Sequence, residues 1–446
     1  MQTKTQRGLV ASLLIKKFIS FKQLSVIFYR RFVDIFIFAG IFIAPLSIFA
    51  NTLSLPEAEH LALTNAPELR SLQARLEALQ QQAVADGQLP DPQLTVGAIN
   101  VPTNTFSFNQ DDMTMVQFGL QQTFLPGHSL KYKSQKTEDL SKAMEKKQQA
   151  ESLDLLRKVR ESWLELYYWT NAKQIFDKNI TLYQYLLKSV TSQYSVGKAT
   201  QSDVLEVQLE LSRLQDQRIQ FLQQIDVARA DLSRWIRLDD ASWSITPTLP
   251  QWPAPPPLSA LSTQIQQHPL LKIDAENINA AKDDVSYAKE QYKPGWMLEA
   301  DYGVRQGEMQ NGMPRSNMVT MQATVDLPFF TGKRQSKELA ASNSQLLATE
   351  MDQQTHYRDL SQELQQQYAT WQRLSERDAL YQKQLIPEST QNAKAALASY
   401  SDAKTDLSTV LRAYSGELTA QMELLQIQIT RAKARVNLLY LQGETK

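Results

Sequence analysis

The residue types that usually carry catalysis or bind metal are few in this sequence and far apart. It contains no cysteine, phosphate-binding loop, HExxH helix or nucleophile elbow. The acidic doublets fall in predicted loops or on predicted helical surfaces, where charged side chains are usually solvated. The four histidines show no metal-ligand spacing: His60, His128, His268 and His356. The sequence therefore predicts no catalytic residue, no metal site and no cofactor, and the protein is not expected to be an enzyme.

Methionine is the one potential ligand type that is concentrated in part of the chain. Seven methionines lie in or beside two predicted strand pairs: Met113, Met115, Met297, Met309, Met313, Met318 and Met321. Thioether sulfur suits soft ions such as Cu(I). Methionine also serves as flexible apolar filler in ordinary cores. Both interpretations, a soft-metal role and apolar packing, are open at this stage.

Two stretches of similar sequence organise the rest of the chain. Residues 194–205 read Tyr-Ser-Val-Gly-Lys-Ala-Thr-Gln-Ser-Asp-Val-Leu, and residues 400–411 read Tyr-Ser-Asp-Ala-Lys-Thr-Asp-Leu-Ser-Thr-Val-Leu. Each stretch lies where one long helical pattern ends and another begins, so each is predicted to be the tip of a helical hairpin. A shift of about 200 residues also aligns Pro92 with Pro294, which indicates a duplicated chain.

The composition favours long amphipathic helices over an ordinary globule. Glycine is scarce at 14 residues, and the mean hydropathy is −0.39 although 42% of the 446 residues are hydrophobic. Lys plus Arg and Asp plus Glu number 47 each, so no overall positive charge favours nucleic-acid binding. The absence of cysteine excludes disulfides and thiolate sites.

The N-terminal 50 residues have the pattern of a secretory signal peptide. Basic residues, among them Lys16 and Arg31, precede an apolar run at 35–50 that ends before the polar Asn51. A membrane anchor is the alternative, but a run of about 16 residues is short for a span of about 20. We therefore predict a signal peptide at residues 1–50.

Two segments show the alternation of β-hairpins. The second is the clearer: Trp296, Leu298, Ala300, Tyr302 and Val304 alternate with Met297, Glu299, Asp301, Gly303 and Arg305. The predicted hairpins cover about residues 93–124 and 296–327. One apolar and one polar face suit an outer-membrane barrel wall, and a soluble hairpin packed on helices is the alternative. Four strands cannot close a barrel, whose smallest form has about eight, so several chains would have to combine.

Long helices follow each strand pair. Residues 129–194 form a helical pattern of about 65 residues, close to 100 Å at 1.5 Å per residue. Apolar residues recur at spacings of three and four in this helix and its return, the pattern of coiled coils. A proline-rich linker at 239–268 separates a first repeat at 51–238 from a second at 269–446. The predicted fold is mostly α with a small β part, made of duplicated helical hairpins and two β-hairpins.

These features together resemble the TolC-type outer membrane efflux proteins. The resemblance covers the mature chain and depends on the duplicated plan, the strands entered after Pro92 and Pro294, the strand exit Pro-Phe-Phe-Thr-Gly at 328–332, and the tip at 194–205. It implies a homotrimer in the outer membrane of a Gram-negative cell, with twelve strands in one barrel and twelve long helices forming a periplasmic tunnel. It also implies a periplasmic adaptor and an inner-membrane pump as partners.

The resemblance also implies a gate at the tips, where polar links between the two hairpins close the tunnel. Ser202 and Asp203 match the acceptor side, and Tyr400 matches the tyrosine opposite. At the family's arginine this chain has Thr405, with Lys404 beside it. Where some members have a deeper acidic ring, this chain has Thr409 and Arg412. The predicted gate residues are Ser202, Asp203, Tyr400, Lys404 and Arg412.

The function that the resemblance implies is passive export of cargo delivered by a pump. The Leu-Pro-Asp-Pro start of the first strand and Met-Thr-Met at 113–115 resemble the metal-efflux branch, which favours heavy-metal ions as cargo. A drug or protein-secretion duct of the same fold is an alternative. A periplasmic coiled-coil adaptor or scaffold is a second, which would leave the alternating strands without a lipid-facing role.

Overall fold

The computed structural model describes residues 52–237 and 243–443. The predicted signal peptide at 1–50 and the start of the predicted linker lie outside the described residues. Apart from Thr52, Trp243 and Ser244, the described residues belong to one unit. Helices dominate it and strands form a small part, which confirms the predicted fold class.

The first half begins with short helices and leads into a strand pair and a long helical hairpin. Ser54 starts the first helix through a capping box with Glu57, and Pro67 opens the second helix, where a missing N–H costs no hydrogen bond. The elements in chain order are β1 (Thr52–Leu53), α1 (Leu55–Asn65), α2 (Pro67–Asp86), β2 (Gln93–Ile99), β3 (Met115–Phe124), α3 (Ser129–Ser195) and α4 (Gln201–Ile236).

The second half repeats this plan after the linker. Its elements are β4 (Ser244–Ile245), α5 (Leu258–Gln264), α6 (Pro269–Glu290), β5 (Gly295–Arg305), β6 (Met318–Asp326), α7 (Gln335–Leu380), α8 (Ile386–Ser401) and α9 (Leu407–Gln442). A π-helical turn at Tyr381–Leu385 joins α7 to α8, so these two helices form one long arm. The two helical hairpins are therefore α3 with α4, and α7–α8 with α9.

The four long strands form one antiparallel sheet in the order β2-β3-β5-β6. Its register places Leu120 opposite Ala300 and Gly119 opposite Asp301, so the predicted alternation puts apolar side chains on one face and polar ones on the other. The apolar face is open, with Leu94 72% and Met321 82% exposed. We call the apolar side the outer face and the polar side the inner face.

The apolar cores that the helices bury include two that are separate from each other. One lies near the hairpin tips and is described with the site below. The other joins α5, α6, α7 and α9 through Leu261, Ile265, Leu271, Leu360, Leu364, Leu438 and Leu441. Within residues 52–237 and 243–443, no helix combines the length and the apolar character that crossing a bilayer requires.

Between β4 and α5 the proline-rich linker forms no helix or strand and docks onto the helices, whereas its predicted C-terminal part contains α5. Tyr167 Oη donates to the Pro247 carbonyl at 3.1 Å, and Arg435 Nε donates to the Pro253 carbonyl at 2.9 Å. Proline has no backbone N–H group, so a run of prolines cannot continue a regular helix or a strand interior. Its carbonyl oxygen can still accept a hydrogen bond. The linker therefore ties α3 of the first half to α9 of the second.

Candidate functional site

The first tip is a helix C-cap that depends on glycine. Lys198 N donates to the Gln193 carbonyl at 2.8 Å and Gly197 N to the Tyr194 carbonyl at 3.0 Å. These two bonds define a Schellman motif, with Gly197 in the left-handed region at φ +74°. The motif ends α3 sharply and lets the chain return as α4.

The second tip makes the same motif with alanine in place of glycine. Lys404 N donates to the Ser399 carbonyl and Ala403 N to the Tyr400 carbonyl, both at 2.9 Å. Ala403 has φ +57°, a conformation that costs an L-residue with a Cβ roughly 1–2 kcal/mol. The sequence repeat is therefore a repeat of backbone geometry, with strain at one copy.

The strain at Ala403 makes a prediction with a matched control. Ala403→Gly should stabilise the second tip by about 1 kcal/mol, and Gly197→Ala should destabilise the first by a similar amount. Amide hydrogen exchange measured across 399–406 and 193–200 separates the two tips. Compared with the native chain, Ala403→Gly should slow exchange at 399–406, and Gly197→Ala should speed exchange at 193–200. Exchange at the native rate in both variants would contradict the assignment of strain to Ala403.

The helices that leave the tips are capped by the same pair of residue types in opposite order. In the first, Thr200 is the N-cap, and Asp203 Oδ2 accepts from both the backbone N–H and the hydroxyl of Thr200 at 2.7 Å. In the second, Asp406 is the N-cap and accepts from Thr409 N at 2.9 Å. Each carboxylate stabilises a helix N-terminus, where negative charge is favoured.

The predicted gate residues fall into different environments. Burial raises the pKa of Tyr400, and the negative charge of Asp203 in the other hairpin raises it further. Lys404 Nζ instead pairs with Asp402 in its own tip at 2.9 Å. Arg412 Nη2 donates to Thr409 Oγ1 at 3.2 Å. Ser202 is exposed on the first turn of α4.

An apolar core beneath the tips joins the two hairpins, and we call it the tip cluster. Tyr183 of α3 and Tyr414 of α9 meet there edge to face, with ring centroids 6.5 Å apart. The buried members are Phe176, Ile180, Tyr183, Leu186, Val190, Val207, Leu214, Ala393, Leu407, Val410, Leu411, Ala413 and Tyr414. The hairpins of one chain are thus held together by apolar packing as well as by polar contacts at the tip.

The π-turn in the second arm is a feature that the sequence analysis missed. Pro387 follows it and has no N–H to donate to the carbonyl four residues earlier, and its ring crowds that carbonyl, so the helix widens. Asp378 lies just before the turn with its side chain 8% exposed, and it pairs with Arg431 of α9 at 2.6 Å. Gln382 Nε2 donates to the same carboxylate at 2.9 Å.

A second buried carboxylate fixes the junction between the sheet and the helices. Glu290 ends α6, and its carboxylate accepts from His128 N at 2.6 Å and from Lys293 Nζ at 2.7 Å. Gly127 lies beneath it with φ +51°, and a Cβ there would lie 1.9 Å from Glu290 Oε2. Only glycine satisfies both constraints at this position.

Two arginines bind the loops at the far end of the sheet to each other. Arg315 of the β5–β6 loop donates from Nη1 to the Asp111 carbonyl at 3.0 Å and pairs with Asp112 at 2.7 Å. Arg305 Nη1 donates to the Asp112 carbonyl at 3.1 Å. These contacts join the β2–β3 and β5–β6 loops to each other at the loop end of the sheet.

The methionines of the strands do not share one face. Met115 and Met318 lie on the inner face, where the Met115 sulfur covers Gly303, whereas Met321 is on the outer face. Met309 and Met313 lie in the exposed β5–β6 loop. In the described ranges, no group of three or more His, Asp or Glu side chains is placed to hold a metal ion.

Comparison with known proteins gives a family and a fold. A family model described as outer membrane efflux protein matches residues 59–236 and 260–444. A search of curated protein sequences found none that matches the chain.

Solved structures of outer-membrane channels superimpose on most of the chain. The structure of VceC from Vibrio cholerae matches with a TM-score of 0.73 and 16% identity, covering 87% of this chain and 96% of that one. CusC matches with a TM-score of 0.74 and 17% identity, covering 87% of this chain and 92% of that one. CmeC from Campylobacter jejuni matches with a TM-score of 0.73 and 14% identity, covering 87% of this chain and 85% of that one. At these identities the similarity establishes a shared fold.

Proposed function

Because this chain belongs to the outer membrane efflux protein family, we propose that three copies form a passive channel through the outer membrane. The four-stranded sheet of each copy contributes to one twelve-stranded barrel. The two helical hairpins of each copy extend into the periplasm and together enclose a tunnel. Cargo enters at the tips and leaves at the loop end of the sheet.

The observation that carries this proposal is the open sheet with its apolar outer face. β2 and β6 are its edge strands, so each has one side without a strand partner in the chain. Exposed strand edges and a continuous apolar face such as Leu94, Val96 and Val319 are unfavourable in water. Pairing β6 of one copy with β2 of the next removes the edges, and lipid covers the apolar face.

The channel needs partners that supply cargo and energy. The sequence has no phosphate-binding loop motif with which the chain itself could use a nucleotide to drive transport. The helical tips are the part farthest from the barrel along each hairpin, and they are the place where a periplasmic adaptor and an inner-membrane pump would dock. A periplasmic coiled-coil scaffold, the competing function, would leave the apolar outer face exposed to water.

Heavy-metal ions are the cargo that the strand sequences favour, because the Leu-Pro-Asp-Pro segment before β2 and Met-Thr-Met at 113–115 resemble the metal-efflux branch. Drugs or secreted proteins are the competing cargo, because most methionine side chains are apolar filler. Growth of a deletion strain across copper, silver, zinc and cobalt, beside dyes, detergents and antibiotics, distinguishes them. Selective metal sensitivity supports metal export. Selective sensitivity to organic compounds contradicts it and supports the drug duct, and unchanged growth on every compound contradicts export.

The tip gate consists of Asp203 and Tyr400, with Ser202, Lys404 and Arg412 around them. Asp203→Asn with Tyr400→Phe removes the charge and the hydroxyl but keeps an oxygen for the Thr200 cap and a ring for packing. Exposed polar contacts contribute roughly 0.2–1 kcal/mol each, so three copies sum to about 0.6–3 kcal/mol. We expect the closed-to-open ratio to fall by about one order of magnitude.

Single-channel recording in planar bilayers measures this change. The double variant should show higher mean conductance than the native channel. Lys198→Gln is the matched control, because Lys198 is an exposed charge of the first tip and is not one of the predicted gate residues, so its conductance should stay at the native value. A double variant with native conductance would remove Asp203 and Tyr400 from the gate.

A further inference from the structure

Two carboxylates on the inner face of the sheet have no role in the function proposed above. Asp301 and Glu299 of β5 are two residues apart, so both point to the same face. The register defines the rows across the sheet that contain them. Asp301 shares its row with Thr95, Gly119 and Thr320, and Glu299 shares its row with Gln93, Gln121 and Gln322.

Asp301 is a buried carboxylate that lies against the backbone of the neighbouring strand. Only 9% of the residue is exposed, and its Oδ1 reaches over Gly119 on the neighbouring strand. A Cβ at position 119 would lie 2.3 Å from that oxygen, so the missing side chain creates the space that the carboxylate fills. Glycine weakens a strand interior, and here it admits a charged group.

The buried oxygen of Asp301 lacks a partner within the described residues. Asp301 Oδ1 is shielded from solvent and accepts no hydrogen bond from the described protein groups. Leaving a buried carboxylate oxygen unpaired is costly, so such groups call for a cation or an ordered water. The rest of its row supplies hydroxyl groups from Thr95 and Thr320, which with carboxylates suit hard cations.

Positive charge on the inner face of the described strands is confined to one end. Arg305 is the basic residue of the four long strands and lies in the row of Ile99 and Met115 at the loop end. Its guanidinium donates to the Ser316 carbonyl at 2.6 Å and to the Asp112 carbonyl at 3.1 Å. Asp326 adds a further carboxylate toward the other end of the sheet. The middle of the inner face therefore carries net negative charge.

We propose that Glu299 and Asp301 make the barrel lumen selective for small inorganic cations. This inference rests on the trimeric channel proposed above, in which three copies place six carboxylates in two adjacent rings. Rings of Asp and Glu are the usual device for cation preference in pores. Low-dielectric walls around the lumen focus their field and raise the local cation concentration.

The salt dependence of the selectivity follows from screening. The Debye length is about 30 Å at 0.01 M salt and about 3 Å at 1 M. In dilute KCl the field of the two rings extends across the lumen, whereas in concentrated KCl it ends near the wall. The native channel should therefore prefer K⁺ over Cl⁻ in dilute salt and lose that preference in concentrated salt.

Reversal potentials in KCl gradients across planar bilayers measure the preference directly. Asp301→Asn with Glu299→Gln keeps the shape of both side chains and removes their charge. We expect the ratio of K⁺ to Cl⁻ permeability in dilute salt to fall severalfold toward one. Adding Thr320→Asp to Asp301→Asn returns a carboxylate to the same row, and this pair should recover much of the native ratio.

The possible results separate this inference from the proposed function. A native chain that forms no channel overturns the proposed function and this inference with it. A native channel without cation preference in dilute KCl overturns the inference alone, and this result needs no variant. The same holds if the doubly neutral variant forms channels that keep the native ratio.

Discussion

Gly127→Ala will prevent the sheet from joining the helices correctly, and assembled protein will be lost from the membrane. The new Cβ would lie 1.9 Å from Glu290 Oε2, and position 127 has φ +51°. The left-handed backbone alone costs about 1–2 kcal/mol, and overpacking adds about 1–3 kcal/mol. Glu290 cannot move aside without losing its bonds to His128 N and Lys293.

The duplication supplies the control for this change. Gly332 occupies the matching position in the second half, but its φ is not positive and a Cβ there would meet open space. Gly332→Ala should leave the protein unaffected to within about 0.5 kcal/mol. The measurement is the amount of folded, detergent-extractable protein in membrane fractions. Equal amounts for both variants would show that the Glu290 junction is not needed for assembly.

Arg431→Met will destabilise the second hairpin by about 3–5 kcal/mol, because it leaves the Asp378 carboxylate buried without its cation. Asp378 is 8% exposed, and the ion pair bridges α7 and α9 next to the π-turn. The helix is already widened there by Pro387, so these contacts hold the arm where its own backbone bonding is weakest. The loss is measured by heating samples to increasing temperatures before electrophoresis and recording the temperature at which the oligomeric band disappears.

An ion pair in the first hairpin provides the comparison for Arg431. Arg218 of α4 pairs with Asp177 of α3 at 2.7 Å, but the two side chains are 41% and 36% exposed. Solvent screens such a pair, so Arg218→Met should cost about 1 kcal/mol or less. If both arginine variants lose the oligomer at the same temperature, burial of Asp378 is not what stabilises the arm.

The sequence predicts the fold class well because its signals are local. The alternation at 296–305 can be seen without a structure, since one face of β5 is apolar along its whole length. The tips can be found because Tyr-Ser and Val-Leu recur at fixed spacing in both copies. Even the Thr200 cap has a local signature, with Asp203 three residues later.

The features that the sequence analysis missed depend on pairing between distant residues. Gly119 and Asp301 are neighbours only through the β3–β5 register, and nothing near either residue in the sequence indicates it. The Asp378–Arg431 pair is similar, although Pro387 within a helical pattern was a usable sign of an irregular turn. The assignment of Ser202, Asp203, Tyr400, Lys404 and Arg412 to a gate stays a prediction.

Fractionation of cells that express the chain tests the central claim most directly. We expect the protein to be recovered with the outer membrane and to need detergent for extraction. Unheated samples should migrate on gels as a trimer that heating converts to the monomer. A soluble monomer or dimer in the periplasmic fraction would contradict the channel and would support the coiled-coil scaffold instead.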